Sequence, residues 1–385
     1  LAGIGQTLKK ISQSPARPDF RQELSRTLKP AAAARKEAPR PGAPREEFSP
    51  VVPIILDVSP QFLENLAYEA LNEELAALRR ALYFDLGVPF PGINIRPNPG
   101  LPGLAYDLLL NEIPVARGQL EEGQVLVDES PENLQMLRLS PKEGRPFLPG
   151  RPSWWLPEAQ KDILAKAGLS YMDHPKILAY HLSLVLARHA GGFLGLQETK
   201  FLLDKMEERT PDLVREATRL LPTQRLADIF QRLVSESVSV RDLRGILEAI
   251  IEWAPKEKDP IMLVEYVRGA LKRQISYQHS GGQNLLPAVL LDPQLEESIR
   301  KSIRQTSTGA FLALAPEVSK KILAALSQAL AASGRADRRP VVLASIDIRR
   351  YLRRLIEADF YETPVLSYQE LTPEISVQPV GRVNI

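Results

Sequence analysis

The 385-residue sequence predicts a multi-subdomain protein of the α/β plus all-α class: a small α/β subdomain carrying an inserted small subdomain, a central helical bundle, and a C-terminal α/β subdomain. Three observations predict it. The apolar run Ile54–Val58 and the runs Ala105–Leu110 and Ile113–Arg117 read as strands, separated by a long segment of helical period. From Pro157 to Ile275 apolar residues recur at helical spacing between short punctuated breaks. Beyond Leu286, strand-like and helix-like runs alternate. A chain this long with 44% hydrophobic residues can build more than one core.

The boundaries expected in chain order are a linker at 1–50, a first α/β subdomain at 51–118, an inserted subdomain at 119–156, a return to the first at 157–190, a helical bundle at 191–280 and a C-terminal α/β subdomain at 281–385. Pro15, Pro18, Pro30, Pro39, Pro41, Pro44, Pro50 and Pro53 keep the linker from packing by itself. Within it Phe20, Leu24 and Leu28 fall at i, i+4 and i+8, an apolar stripe that needs a surface from its own domain or from a neighbour.

After the strand Ile54–Val58, Ser59 and Pro60 supply an N-cap and a first helical residue. The helix is expected to run to about Leu82, with Leu63, Ala67, Leu71, Leu75, Leu78 and Leu82 on one stripe and Glu64, Glu69, Glu73, Arg79 and Arg80 towards solvent. A loop shaped by prolines and glycines from Leu86 leads to a hairpin, Ala105–Leu110 and Ile113–Arg117, turning at Asn111 and Glu112. Gln119 to Leu139 reads as further short strands, including QVLVD and LQMLRL. In Lys142–Leu156, KEGRPFLPGRPSWWL, the residues Phe147, Leu148, Trp154 and Trp155 sit on an apolar edge stiffened by Pro146, Pro149 and Pro152. That edge suits a partner-binding groove or a hydrophobic seam between subdomains.

Helices are expected at Pro157–Gly168, Pro175–His189, Gln197–Leu221, Thr223–Val234, Ser239–Trp253 and Asp259–Ile275. Further on, strands are expected at Val289–Leu291, Phe311–Leu314, Val341–Ala344 and Pro364–Tyr368, forming a mixed sheet. Helices at Pro293–Arg304, Pro316–Ala332 and Ile346–Phe360 would cover it. Arg349, Arg350, Arg353 and Arg354 read as a solvated or subunit-facing flank.

Composition narrows the function. Zero cysteine excludes disulfides and thiolate metal sites. A formal charge of +2, from 49 basic and 47 acidic side chains, with no interleaved aromatic platform, argues against nucleic acid as a partner. Charges break every apolar run before the roughly 18 residues that would span a bilayer, so the fragment is expected to be soluble. No Walker A loop, G-x-S-x-G elbow or H-E-x-x-H motif is present, and no catalytic residue, metal site or cofactor is expected. His181 and His189 are eight residues apart on one helix, about 12 Å along its axis, too far to share one zinc. His189 is read as a semi-buried residue on the helix's apolar face or as a helix-end cation.

Three stretches carry a family resemblance: LGVPFPGINIRPNPGLPGLAYDLLL followed by EIPVARGQL, the block Arg241–Ser276, and the block His174–Glu207. They resemble the cytoplasmic half of the export-gate family of bacterial type III secretion systems (LcrD/FlhA-like major export apparatus proteins). The family's membrane-embedded half is missing, so this chain would be the cytoplasmic domain alone, at the cytoplasmic face of the inner membrane. The resemblance implies a nonameric ring of copies whose grooves receive chaperone–substrate complexes and a gatekeeper protein, beside other export-apparatus and ATPase-complex components. Phe147 is similar to the family's groove phenylalanine, but Gly144 stands where the flagellar pattern is acidic, which favours the virulence branch. Ring contacts would come from Phe20, Leu24 and Leu28 and from Arg225, Asp228, Arg241, Asp242 and Arg244; for these charged residues the alternative is ordinary helix-surface charge. Other readings are a monomeric protein-binding adaptor, or a hydrolase using Glu143 and His174 in a Gly144–Trp155 cleft.

Overall fold

The structure, a computed structural model, describes residues 50–65, 68–127, 129–144, 153–306, 309–332 and 339–384. The linker, with Phe20, Leu24 and Leu28, lies outside the described residues, as do Phe147 and Leu148. The chain divides into two compact units, Leu1–Phe193 and Leu194–Ile385.

In the first unit, β1 (Ile54–Val58) leads into α1 (Pro60–Asn65) and α2 (Tyr68–Leu86). Ser59 caps the first turn, its Oγ accepting from Phe62 N at 3.1 Å. Leu71, Leu75, Leu78 and Leu82 of α2 are buried as the stripe requires, and the helix runs one turn further than expected, to Gly87 at φ 77°. Arg79, expected to face solvent, is half-buried instead: Nε and Nη2 donate to the Phe90 carbonyl at 3.3 and 2.8 Å and pin the loop that follows. β2 (Asn94–Pro97), which the sequence pattern did not reveal, pairs parallel with β1. β3 (Ala105–Leu110) pairs antiparallel with the other side of β1 and turns into β4 (Ile113–Gln119), giving the sheet order β2-β1-β3-β4. Both turn residues, Asn111 and Glu112, take positive φ, as a two-residue hairpin turn demands.

One face of this sheet packs on helices through a polar tie. Tyr106 of β3 stands opposite Gly118 of β4, and its ring fills the space a Cβ at 118 would need. Its hydroxyl reaches His181 Nδ1 at 2.8 Å on α5 (His174–Arg188), the helix that packs against α2. His181 is buried on that apolar face, whereas His189 is the exposed C-cap of α5, at the helix end and not semi-buried on the apolar face.

A second sheet, order β6-β7-β5-β8, follows: β5 (Gln124–Val127), β6 (Lys142–Gly144), β7 (Ser153–Pro157) and β8 (Tyr171–Met172). Between β5 and β6 the run LQMLRL, expected as a strand, belongs to α3 (Pro131–Met136) and the turn after it. Ser130 caps that helix by accepting from Asn133 N, and Pro131 and Glu132 occupy its first turn. Leu134 of α3 and Leu164 of α4 (Lys161–Lys166) cover one sheet face with Val125, Val127 and Leu156.

The second unit begins with helices α6 (Leu196–Glu207), α7 (Pro211–Leu220), α8 (Thr223–Ser235), α9 (Leu243–Trp253), α10 (Pro260–Ala270) and α11 (Lys272–Ser280). The segment expected as one helix from Gln197 to Leu221 is two, because Pro211 has no N–H to continue the first. The segment from Asp259 to Ile275 likewise breaks at Leu271. The N-cap of α9 is Asp242, three residues after the expected Ser239 boundary, and its Oδ1 accepts from Gly245 N at 3.0 Å. Trp253 stacks on Tyr266 with ring centroids 4.1 Å apart, while the Lys256 ammonium lies over the Trp253 ring, closing the α9–α10 turn.

The C-terminal sheet is fully parallel rather than mixed: β9 (Leu285–Leu291), β12 (Val341–Ala344), β13 (Val365–Ser367) and β14 (Ser376–Val383) in the order β13-β12-β9-β14. Its helices are α12 (Pro293–Lys301), α13 (Pro316–Ala332) and α14 (Ile346–Ile356), and a two-stranded ribbon, β10 (Ile303–Thr306) with β11 (Gly309–Leu312), follows α12.

The arginines expected on a solvated flank are the main correction here. Arg349 of α14 is 1% exposed. Its guanidinium donates to Glu265 of α10 at 2.5 and 2.6 Å, to Glu236 at the end of α8 at 2.5 and 3.0 Å, and to the Val365 carbonyl of β13 at 3.1 Å. Beside it Arg268 donates to Glu370 at 2.5 Å. Arg353 is also buried and donates to the Tyr361 and Thr363 carbonyls, each at 3.0 Å. Arg354 is exposed as expected. Burial alone would raise the Glu236 pKa, but the charges of Arg349 and Arg268 hold it down at about 2.

Two outcomes test these ties. Burial lowers the His181 pKa from 6.5 to about 4, so the folded chain refuses a proton that the unfolded chain accepts. Stability should fall by about 1.4 kcal/mol per pH unit for this group as pH drops through that window. His181→Gln should flatten the slope in urea unfolding, and Tyr106→Phe should cost about 1–3 kcal/mol at neutral pH. Arg349→Met strands the buried Glu265 carboxylate and leaves the partly exposed Glu236 with Arg268 alone, and should cost about 3–5 kcal/mol, whereas Arg354→Ala should stay within about 0.5 kcal/mol by the same measurement.

Candidate partner-binding surface

The candidate groove residues that are described, Trp154 and Trp155, lie on β7, and the two-residue period of a strand sends their rings to opposite sheet faces. They therefore do not make one continuous edge. Trp154 pairs across to Val127 and Glu143 and packs, partly buried, on the core formed with Leu134 and Leu164. Trp155 pairs across to Leu126 and Lys142 and is 1% exposed. Its indole leans diagonally over β6 into the space a side chain at Gly144 would fill. Its Nε1 is buried, with no hydrogen-bond partner among the described residues. The absence of a side chain at 144, noticed in the sequence as a departure from an acidic pattern, is thus matched to Trp155. On the Trp154 side, the helices that cover the sheet carry exposed Met136, with Leu137 just after α3, and Ile163 on α4.

The charged candidates fall in the second unit. Arg225 is exposed and Asp228 half-buried on α8; Arg241, Asp242 and Arg244 are exposed at the start of α9. Asp242 is engaged as the N-cap, and Arg244 pairs with Glu248 one turn on at 2.8 Å. These positions present charge on two neighbouring segments of the helical region.

Among the described residues no catalytic group assembles around Glu143 or His174. His174 Nε2 is 2.9 Å from the Glu121 carbonyl oxygen, and Glu143 is exposed. Among the described residues no three His, Asp or Glu side chains group as metal ligands, and no helix is long and apolar enough to cross a membrane. In a parallel sheet ligands gather outside the carboxyl ends of the strands. Here that position, after β12, is occupied by a carboxylate of the chain itself: Glu296 of α12 accepts from Ser345 N at 2.9 Å and from Ser345 Oγ at 2.5 Å.

The Gly144–Trp155 fit is open to direct test. Gly144→Ala would put a methyl group into the indole and should lower stability by about 1–3 kcal/mol, with a red-shifted tryptophan emission, in thermal unfolding followed by fluorescence.

Comparison with known proteins covers both units. Low calcium response locus protein D of Yersinia pestis is 45% identical over 359 residues, 92% of this chain and 51% of that protein. The chain thus spans about half the length of the curated relatives it matches. Chlamydia pneumoniae CdsV, in a solved complex of CdsV with CdsO, superposes with a TM-score of 0.83 at 40% identity, over 88% of this chain and 99% of that one. The nonameric EPEC SctV-C structure superposes with a TM-score of 0.72 at 30% identity, over 87% and 99%. The FHIPEP family model matches residues 2–376, and the chain belongs to the FHIPEP family.

Proposed function

We propose that this chain is the cytoplasmic, ring-forming part of a type III secretion export gate, of the virulence rather than the flagellar branch. It docks chaperone–substrate complexes and a gatekeeper protein and orders their delivery to the inner-membrane channel. The observation that carries the reading is the likeness, across both units, to the nonameric EPEC SctV-C structure. The complex of CdsV with CdsO supports a further contact with a secretion component of that kind.

On this reading nine copies form a ring at the cytoplasmic face of the inner membrane, next to the ATPase complex and other export components. Phe147, Leu148, Trp154 and Trp155 mark the groove, with Phe147 as its anchor. Arg225, Asp228, Arg241, Asp242 and Arg244 set the contacts between copies, and Phe20, Leu24 and Leu28 of the linker bridge neighbours. The role is recognition and sequencing, without catalysis or cofactor.

Sedimentation and electron microscopy of the purified chain at high concentration should give a nine-fold particle. Deleting Leu1–Glu47 should shift it towards monomer. Phe147→Ala should keep the particle but weaken a cognate chaperone–substrate complex by about 1–3 kcal/mol in calorimetry. A chain that stays monomeric at every concentration would instead be an adaptor.

A further inference from the structure

The first sheet carries a row of four charged side chains in register. Arg96 of β2 stands opposite Asp57 of β1, Asp57 opposite Asp107 of β3, and Asp107 opposite Arg117 of β4. All four share one face, the one turned away from Tyr106 and His181. Arg96 grips Asp57 through Nε and Nη2 at 2.7 and 2.9 Å, and Arg117 grips Asp107 in the same way at 2.6 and 2.8 Å. Asn98 adds a bond to Asp57 at 3.3 Å.

Two aspartates directly opposite each other on neighbouring strands repel, and taking both from water costs further free energy. Apolar side chains would fill those positions at least as stably, as Ile55 and Leu109 do two residues away on the same face. What the arrangement supplies is orientation. The aspartate side chains are only 6 and 11% exposed, while those of Arg96 and Arg117 are 52 and 73% exposed. Each guanidinium is fixed by its fork and keeps Nη1, with two N–H donors, outside it. The rotamer entropy that usually weakens a surface arginine contact is already lost before any partner arrives. Glu112, whose field reaches Arg96, accepts from Val52 N at 3.2 Å.

We propose that Arg96 and Arg117 form a docking site for an acidic, extended segment of a partner protein. Three strand spacings separate their backbones by about 14 Å, the span of roughly four residues of extended chain, so carboxylates at i and i+4 laid across the strands meet both cations. This site uses none of the residues named for the groove or the ring contacts of the proposed function.

The probe is a fluorescein-labelled peptide, Gly-Asp-Gly-Ser-Gly-Asp-Gly, with its Asn-for-Asp counterpart, titrated with the full chain at low salt and read by anisotropy. The acidic peptide should bind at least tenfold more tightly than the amide form. Arg96→Gln with Arg117→Gln should lose that difference, with circular dichroism unchanged. Arg117→Lys keeps the charge but not the fork and should weaken binding several-fold; it decides the matter if the double variant does not fold. Equal binding of both peptides, or unaltered binding by Arg117→Lys, overturns the proposal. So does tighter binding of a labelled oligonucleotide at these arginines, or a loss of self-association in place of peptide binding.

Discussion

The second unit depends on where Arg349 finds its counter-charges. A guanidinium at 1% exposure is tolerable only if carboxylates come with it, and the one in its own helix, Asp347, is held by Arg300 of α12 instead. Glu236 comes from the end of α8, Glu265 from the middle of α10, and a carbonyl from β13. The helical region and the parallel sheet therefore satisfy one another's buried charge. Arg268 extends the join: it lies 3.3 Å from Glu236 and bonds Glu370, which follows β13. The chain's crossing from β13 to β14 is held at the same place, since Ser276 of α11 donates to the Glu370 carbonyl and accepts from Thr372 N. Such a network does not by itself add stability over a well-packed apolar core. It specifies which surfaces may meet, because any other pairing of helices against the sheet strands an ion.

The same insistence on a single pairing is visible at the sheet edges. β2 is short and ends in Pro97; β4 carries Pro114, a register shift and Arg117; β6 has three residues; β14 carries Pro379 and a bulge before Gly381. Short strands, prolines, bulges and charge are the usual means of keeping an edge from recruiting a foreign strand. Association of copies of such a chain is consequently expected to run through side-chain surfaces of helices and loops, where contacts are set by shape and charge, rather than by continuing a sheet.

Much of the fold was legible where local signals agreed. Ile54–Val58, the Asn111–Glu112 hairpin and α13 were readable because period, composition and punctuation pointed the same way. The misreadings have physical causes. β14 was hidden because Pro379 and Gly381 argue against a strand, and an edge position with a bulge is what lets them in. LQMLRL alternates like a strand, but the Ser130–Pro131–Glu132 start signal before it outweighs that pattern. The i, i+4 arginines of α14 look like a polar face in any window of sequence; their partners lie 84 and 113 residues away, beyond the reach of local reasoning. The candidate surface was legible in the same uneven way. The tryptophans and Gly144 were singled out, but that one ring occupies the other's missing side chain is a diagonal cross-strand fact, invisible until the register is known.

Fold and function separate most clearly at the carboxyl end of the parallel sheet. The strand order there, with a later strand added beside the first, is the arrangement in which many α/β proteins open a crevice for a phosphate or a cofactor. Such a crevice needs free N–H groups and a positive field at a helix start. Here the start of α14 is met by Glu296, which takes both the Ser345 amide and hydroxyl, and the start of α12 is capped by Asp292, whose Oδ1 accepts from Gln294 N at 2.9 Å. Two carboxylates of the chain stand where an anion would enter. The parallel sheet and its helices are retained as a support, and what distinguishes this protein lies on its outer surfaces.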